Sequence, residues 1–267
     1  MLITVVAASL FGLDFCTAPN CQLSFGPACD GNKKPTGPDT SDIPRPVFSP
    51  VPFGLILTDC LVTGMMALTF DDGPYKYTSE ILDVLKRNKV PATFFVVGTN
   101  SGKGQIQDPA TGYPAIVRRM VAEGHQVRSH TWSHQSLVTL SNEQIVDQII
   151  KNEIALASIL GFIPTYFRPP YTQWPQAAIE ILLSLGYHVT NYNLDTRDWE
   201  GDYSTAQALY LAPLMRSSFA STSFITLAHD IIPSTAHNLT QFMIDEARKA
   251  GFRFGTVGDC LGDPETN

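Results

Sequence analysis

The chain has 267 residues, 44% of them hydrophobic and 16% charged, enough to build a sizeable core and to fill one α/β barrel without a second full domain. A formal net charge of -7 argues against a phosphate-neutralising role, since nucleic-acid binding rests largely on Lys and Arg releasing counterions, and a neutral polymer suits this composition better. No run of roughly 18 or more consecutive apolar residues occurs, so no membrane span is predicted.

In chain order, residues 1–13 (MLITVVAASLFGL) are apolar with small residues but lack a basic start, so they match a secretory signal only in part; a signal remnant and an arbitrary start both stay open. Five cysteines speak for an oxidising compartment: Cys16, Cys21 and Cys29 cluster early, Cys60 and Cys260 bracket the rest, and the odd count leaves one unpaired. Residues 32–52, rich in Pro, Gly, Ser and Thr, read as an extended linker, which places the folded domain at 53–267.

From Met65 onward, short apolar runs alternate with segments of helical period, the pattern of βα units around a parallel sheet. Strands are predicted over 66–70, 92–98, 125–130, 165–169, 188–193, 223–229 and 253–257, seven in all. Between them, helices are predicted over 78–88, 113–124, 141–161, 175–186, 204–218 and about 234–251. Ser141 and Gln144 have capping-box spacing, and Gly124, Gly161, Gly186 and Gly251 stand where a left-handed helix end is expected.

On this reading the polar residues that look out of place fall at the carboxyl ends of strands, the face where α/β barrels carry their sites. Asp71 and Asp72 follow the first strand, His130 ends the third with His134 four residues on, Arg168 and Tyr171 sit at the fourth, Asp195 and Asp198 follow the fifth, and His229 closes the sixth. Two neutral imidazoles and one carboxylate with open positions suit Zn²⁺ and leave Co²⁺ and Ni²⁺ open. His130 and His134 reach one ion from a strand end and the turn after it, while the bland alternative is a solvated pair.

Asp71 and Asp72 lie in TFDDGP, an ordinary turn sequence in which adjacent side chains diverge, so that one can bind metal while its neighbour stays free as a base. Two such close anions shift each other unless a cation offsets them, and Arg168 is the candidate; its alternative is a surface arginine packed on Pro169 and Pro170. His229 ends an apolar strand and, with Asp198 or Asp195 stabilising its charged form, serves as a general acid. His125, His188 and His237 lack such company and read as structural. Asn238-Leu239-Thr240 is an N-glycosylation sequon.

The ordered set TFDDGP (69–74), HTWSH (130–134), RPPY (168–171), DTRDW (195–199) and ITLAH (225–229) resembles the motifs of the polysaccharide deacetylase family, the NodB-homology or carbohydrate esterase family 4 domain, with the nearest likeness to fungal chitin deacetylases. The resemblance spans about Cys60 to Cys260 and implies a distorted (β/α)₇ TIM-like barrel as a single catalytic domain with an irregular N-terminal extension. It implies Asp71 as catalytic base, Asp72, His130 and His134 as metal ligands, and Arg168 as the partner orienting Asp71. It further implies that the Tyr171 N–H helps form an oxyanion hole, that Asp198 tunes the acid His229, and that Trp199 and Leu227 line an acetyl pocket. Cys60 and Cys260 resemble the pair that staples the family domain's start to its end. Residues 14–32 are similar to the tail of a hevein-like chitin-binding module, although three cysteines are too few for an intact one.

The resulting expectation is a secreted, monomeric, Zn²⁺-dependent enzyme, with Co²⁺ or another divalent metal as substitutes, that removes N-acetyl groups from chitin or chitooligosaccharides. Peptidoglycan or acetylated xylan is the alternative substrate, and a non-catalytic chitin-binding protein the alternative from another class.

Overall fold

The computed structural model describes residues 16–45 and 51–263; the signal reading of residues 1–13 lies outside them. Ten short parallel strands build one sheet: β1 (Ile56–Leu57), β2 (Met65–Ala67), β3 (Thr69–Asp71), β4 (Thr93–Val96), β5 (Gln126–Ser129), β6 (Tyr166–Phe167), β7 (His188–Thr190), β8 (Leu194–Asp195), β9 (Phe224–His229) and β10 (Arg253–Gly255). Their order is β1-β7-β6-β5-β4-β3-β9-β2-β10, with β8 paired to β9 alongside. Among the described residues no ladder joins β1 to β10, so the barrel is open along one seam, which is its distortion.

All seven expected strands are present, six of them shorter than expected and the first running one residue further at each end. The expected strand 66–70 is two pieces, β2 and β3, because the chain changes partner: β10 and β9 flank the first piece, β4 and β9 the second. Strands β1 and β8 went unpredicted, each only two residues long. Around the sheet lie α1 (Thr78–Asn88), α2 (Tyr113–Ala122), α3 (Asn142–Leu160), α4 (Gln176–Ser184), α5 (Tyr203–Arg216) and α6 (Thr240–Lys249). The unpredicted α7 (Val257–Leu261) follows β10.

The local chemistry of these helices explains their limits. Ser141 and Gln144 close the capping box at the start of α3, and Gly161 ends it at φ +80°. Strands β3, β4 and β5 are buried along their whole length, as expected of parallel strands covered on both faces. The main apolar core, including Met66, Leu68, Phe70, Phe94 and Val127, continues outward into helix residues such as Leu82 and Met243. The opposite end of the barrel is plugged by α7, whose Val257 and Gly258 amides donate to Thr93 Oγ1 (2.9 Å) and Gln126 Oε1 (3.1 Å) at the amino ends of β4 and β5.

Where the stretch read as a linker is described, at 32–45 and 51–52, it lies against the barrel: Thr40 and Val51 are buried, and Arg45, also largely buried, forms a two-pronged ion pair with Glu153 of α3 at 2.7 Å per contact. A Pro-rich chain lacks the amides for a ladder, and a bidentate guanidinium–carboxylate pair docks it instead. The cysteines resolve as Cys21–Cys29 and Cys60–Cys260, leaving Cys16 free.

Candidate active site

Register alone gathers the chemistry at one rim. Asp71, last in β3, pairs with Phe95 of β4 on one side and His229 of β9 on the other, while Ser129, one residue before His130, pairs with Phe167, one before Arg168. The rim encloses a cavity of about 500 Å³ whose lining includes Asp71, Asp72, His130, His134, Arg168 and His229. Tyr171, Trp199, Leu227 and Asp195 complete the walls.

The backbone is bent to aim these side chains. Asp72, His134 and Tyr171 have φ of +80°, +53° and +57°, a region that non-glycine residues adopt only where the surroundings hold them. Gly73 is required by packing: a Cβ there would come 1.8 Å from Oδ2 of buried Asp230. On the far side, Lys103 Nζ donates to the main-chain oxygen of Asp72 at 3.1 Å. Burial pushes the Asp230 carboxyl up and the Lys103 ammonium down.

One side chain each from Asp72, His130 and His134 converges, with ligand atoms all within 4.8 Å of one another. Asp72 Oδ1 lies 3.0 Å from His134 Nε2 and 3.6 Å from His130 Nε2, is buried, and accepts no hydrogen bond. An orphaned buried carboxylate oxygen facing two imidazole nitrogens is what a cation site looks like from its donor atoms, so the set fits a divalent metal. Protonation states agree. Burial alone would raise the Asp72 carboxyl, but the imidazoles of His134, His229 and His130 outweigh it and hold the group well below the usual carboxylate range. Burial pushes His130 down to about 4, against the pull of Asp71, leaving a neutral imidazole. Its Nδ1 meets the Arg168 carbonyl at 2.6 Å and is therefore the protonated nitrogen, which turns the Nε2 lone pair toward Asp72.

Arg168 is no surface residue. It is buried, stacks over Phe95 at 4.0 Å, and donates through Nη1 to Asp71 Oδ1 (2.8 Å) and Thr69 Oγ1 (2.6 Å) and through Nη2 to the Asn191 carbonyl (3.0 Å). Asp71 is thus held through Oδ1 while Oδ2 stays on the cavity side, 3.8 Å from His130 Nε2. Of the two carboxylates left open for His229, Asp198 takes the role: Oδ1 meets Nδ1 at 2.7 Å and Oδ2 accepts the His229 amide at 2.7 Å and Thr235 Oγ1 at 2.5 Å. Burial disfavours the imidazolium, but the Asp198 hydrogen bond and charge, aided by Asp72 and Asp71, push His229 up to about 10. Asp195 instead accepts the Arg197 amide at 2.8 Å.

Tyr171 and Trp199 are about half exposed at the mouth, while Leu227 is buried at the wall. The Tyr171 ring packs 4.6 Å from that of His134, and burial pushes its hydroxyl up to about 12. His125 and His188 lie away from the cavity lining, and His237 pairs with Glu80 at the surface. Sequence reasoning missed Thr69 and Asn191, which share the Arg168 guanidinium, and Lys103 behind Asp72; ordinary polar residues in strands and loops carry no signal of their own.

Such a rim equips a parallel barrel for hydrolysis, with a carboxylate free to accept a proton and a protonated imidazole flanking donors suited to a cation. A family model described as Polysaccharide deacetylase matches residues 59–190. The chain is 47% identical over 219 residues to a chitin deacetylase of Pestalotiopsis sp, covering 82% of this chain and 71% of that one. It is 37% identical over 218 residues to a probable peptidoglycan-N-acetylglucosamine deacetylase of Arthroderma benhamiae, covering 81% of this chain and 48% of the relative. The solved chitin deacetylase of Colletotrichum lindemuthianum superposes with a TM-score of 0.73 at 39% identity, over 81% of this chain and 96% of that one. The chain belongs to the polysaccharide deacetylase family.

Proposed function

We propose that this chain is a secreted, divalent-metal-dependent N-deacetylase of N-acetylglucosamine units in chitin or chitooligosaccharides. The observation that carries the reading is the convergence of Asp72, His130 and His134 beside the Arg168-held Asp71 and the Asp198-held His229. The similarity to two fungal chitin deacetylases supports the substrate class, and two disulfides support export to an oxidising compartment.

Asp72, His130 and His134 would hold Zn²⁺ or a similar cation, which would supply Lewis acidity toward an acetamide carbonyl and a water. Asp71 takes the proton of the attacking water through Oδ2, the oxygen that Arg168 leaves free. The Tyr171 N–H donates to the developing oxyanion, a contact typically worth about 3 to 4 kcal/mol. His229, its Nδ1 committed to Asp198, gives the Nε2 proton to the departing nitrogen as the C–N bond breaks, so acetate and a free amine leave. The aromatic faces of Trp199 and Tyr171 flank the sugar ring, and Leu227 lies where the acetyl methyl is received.

Acetate release from chitooligosaccharides, acetylated xylan and peptidoglycan fragments, with Zn²⁺ or Co²⁺ present, tests this directly. Release is expected from the chitooligosaccharides and is stopped by EDTA. Chitin binding without acetate release in metal-replete protein would overturn the enzyme reading, and full activity in metal-stripped Asp72→Ala would overturn the metal assignment.

A further inference from the structure

The turn that carries His134 cannot hold its shape unaided. Thr131 and His134 both sit at positive φ, +72° and +53°, where side-chain-bearing residues stay only under outside restraint. One restraint comes from α3: Gln148 Oε1 accepts from the Ser133 amide and from Ser133 Oγ, both at 2.9 Å, and the Gln148 carbonyl accepts the Trp132 amide at 2.9 Å.

The other restraint comes from the N-terminal segment closed by Cys21–Cys29. Gln135, the residue after His134, is buried and donates Nε2 to the Cys21 carbonyl at 3.0 Å. Gly31 lies so close that a Cβ would come 2.8 Å from Ser133 Oγ. The segment is anchored independently of this turn, since Lys151 Nζ donates to the Gly31 carbonyl at 3.3 Å and the Ser101 amide to the Ala18 carbonyl at 2.7 Å. Ala18, Cys21 and Cys29 are buried, forming a small core of their own with Leu23 packed against it. All of this precedes residue 59, where the family match begins.

We propose that the disulfide-closed segment 18–31 is a positioning element for the His134 imidazole, acting through Gln135 and Ser133. The inference rests on the reading of His134 as a metal ligand. Its chemistry is that of an outer shell: the Cys21 carbonyl pins the residue next to the ligand, so the metal-free turn already has the shape that binding requires.

The test compares the full chain with Gln135→Ala and with the Cys21→Ser/Cys29→Ser double variant, by Zn²⁺ titration against a competing chelator and by hydrogen exchange of amides 131–135 in metal-free protein. Both variants are expected to bind Zn²⁺ roughly tenfold more weakly or worse, with faster exchange confined to that turn and an unfolding temperature for Gln135→Ala close to the parent's. Unchanged affinity and unchanged exchange in Gln135→Ala would overturn the proposal, whether or not the cysteine variant folds. If the parent binds Zn²⁺ no better than His134→Ala, the ligand reading is what fails, and the exchange measurement still decides whether the segment orders the turn.

Discussion

The main-chain oxygen of Arg168 accepts the Nδ1 proton of His130 at 2.6 Å, while the guanidinium of the same residue grips Asp71 at 2.8 Å. On the proposed function, one residue therefore orients a metal ligand with its backbone and the proton acceptor with its side chain, and the two duties can be separated by substitution.

Arg168→Lys keeps the carbonyl but loses the fork that spans Asp71, Thr69 and Asn191. Zn²⁺ affinity should stay within a few-fold of the parent's while kcat falls on the order of 100-fold, the cost of a slightly misplaced catalytic group. Parallel metal titration and steady-state kinetics on chitooligosaccharide check this, and loss of both together would show that the duties are not separable.

The Asp198–His229 pair predicts a pH effect. Asp198, aided by Asp72 and Asp71, holds His229 at about 10, so the imidazolium persists through neutral pH and the proposed acid function is lost only as pH rises through that value; a bound cation would lower the limit by repulsion. In Asp198→Asn the largest remaining influence is burial, which disfavours the charge. The alkaline limb of kcat/KM should then move down by about two units or more. An alkaline limb that stays in place would remove His229 from the role of acid.

Stability has its own titrating group. His125 is buried, its Nδ1 accepts the Ala92 amide at 3.2 Å, and burial pushes it down to about 4 from an ordinary 6.5. Above the ordinary value both folded and unfolded chains carry it neutral, so its contribution is intact; as pH falls from there to about 4 the unfolded chain gains a proton that the folded one resists. Loss over that window should be on the order of 3 kcal/mol, measured by urea unfolding at a series of pH values. His125→Asn, which keeps an acceptor without a titration, should make the curve shallower, leaving the part due to His130, which burial pushes down over the same range.

Cys60 and Cys260 close a loop of 200 residues. Replacing both with alanine should lower unfolding free energy by roughly 5 kcal/mol on the chain-entropy account. Chemical denaturation reads this, and a loss under about 1 kcal/mol would mean that the unfolded chain is already compact there.

What the sequence made legible follows from the range of each interaction. The capping box of Ser141 and Gln144 and the strand-end placement of Asp71, His130 and His229 are local or periodic features, and both were readable. Two-residue strands such as β1 and β8 have no period to detect, and α7 is barely longer than a turn. The docking of Arg45 on Glu153 crosses 108 positions, so no local pattern announces it. The choice between Asp195 and Asp198 as partner of His229 turned on a backbone trajectory, with Arg197 at φ +51° between them, which composition does not encode.

The sulfur bridge joins the chain just beyond β1 to the helix just beyond β10, the two strands bordering the open seam. Tension applied at the two ends of the chain therefore runs through a covalent bond and bypasses the hydrogen-bonded ladder. In a single-molecule stretching experiment, the roughly 700 Å of contour between the two cysteines should remain hidden until a reductant is added, so a pull on the amino-terminal side can strip segment 18–31 from the His134 turn while the barrel itself stays closed.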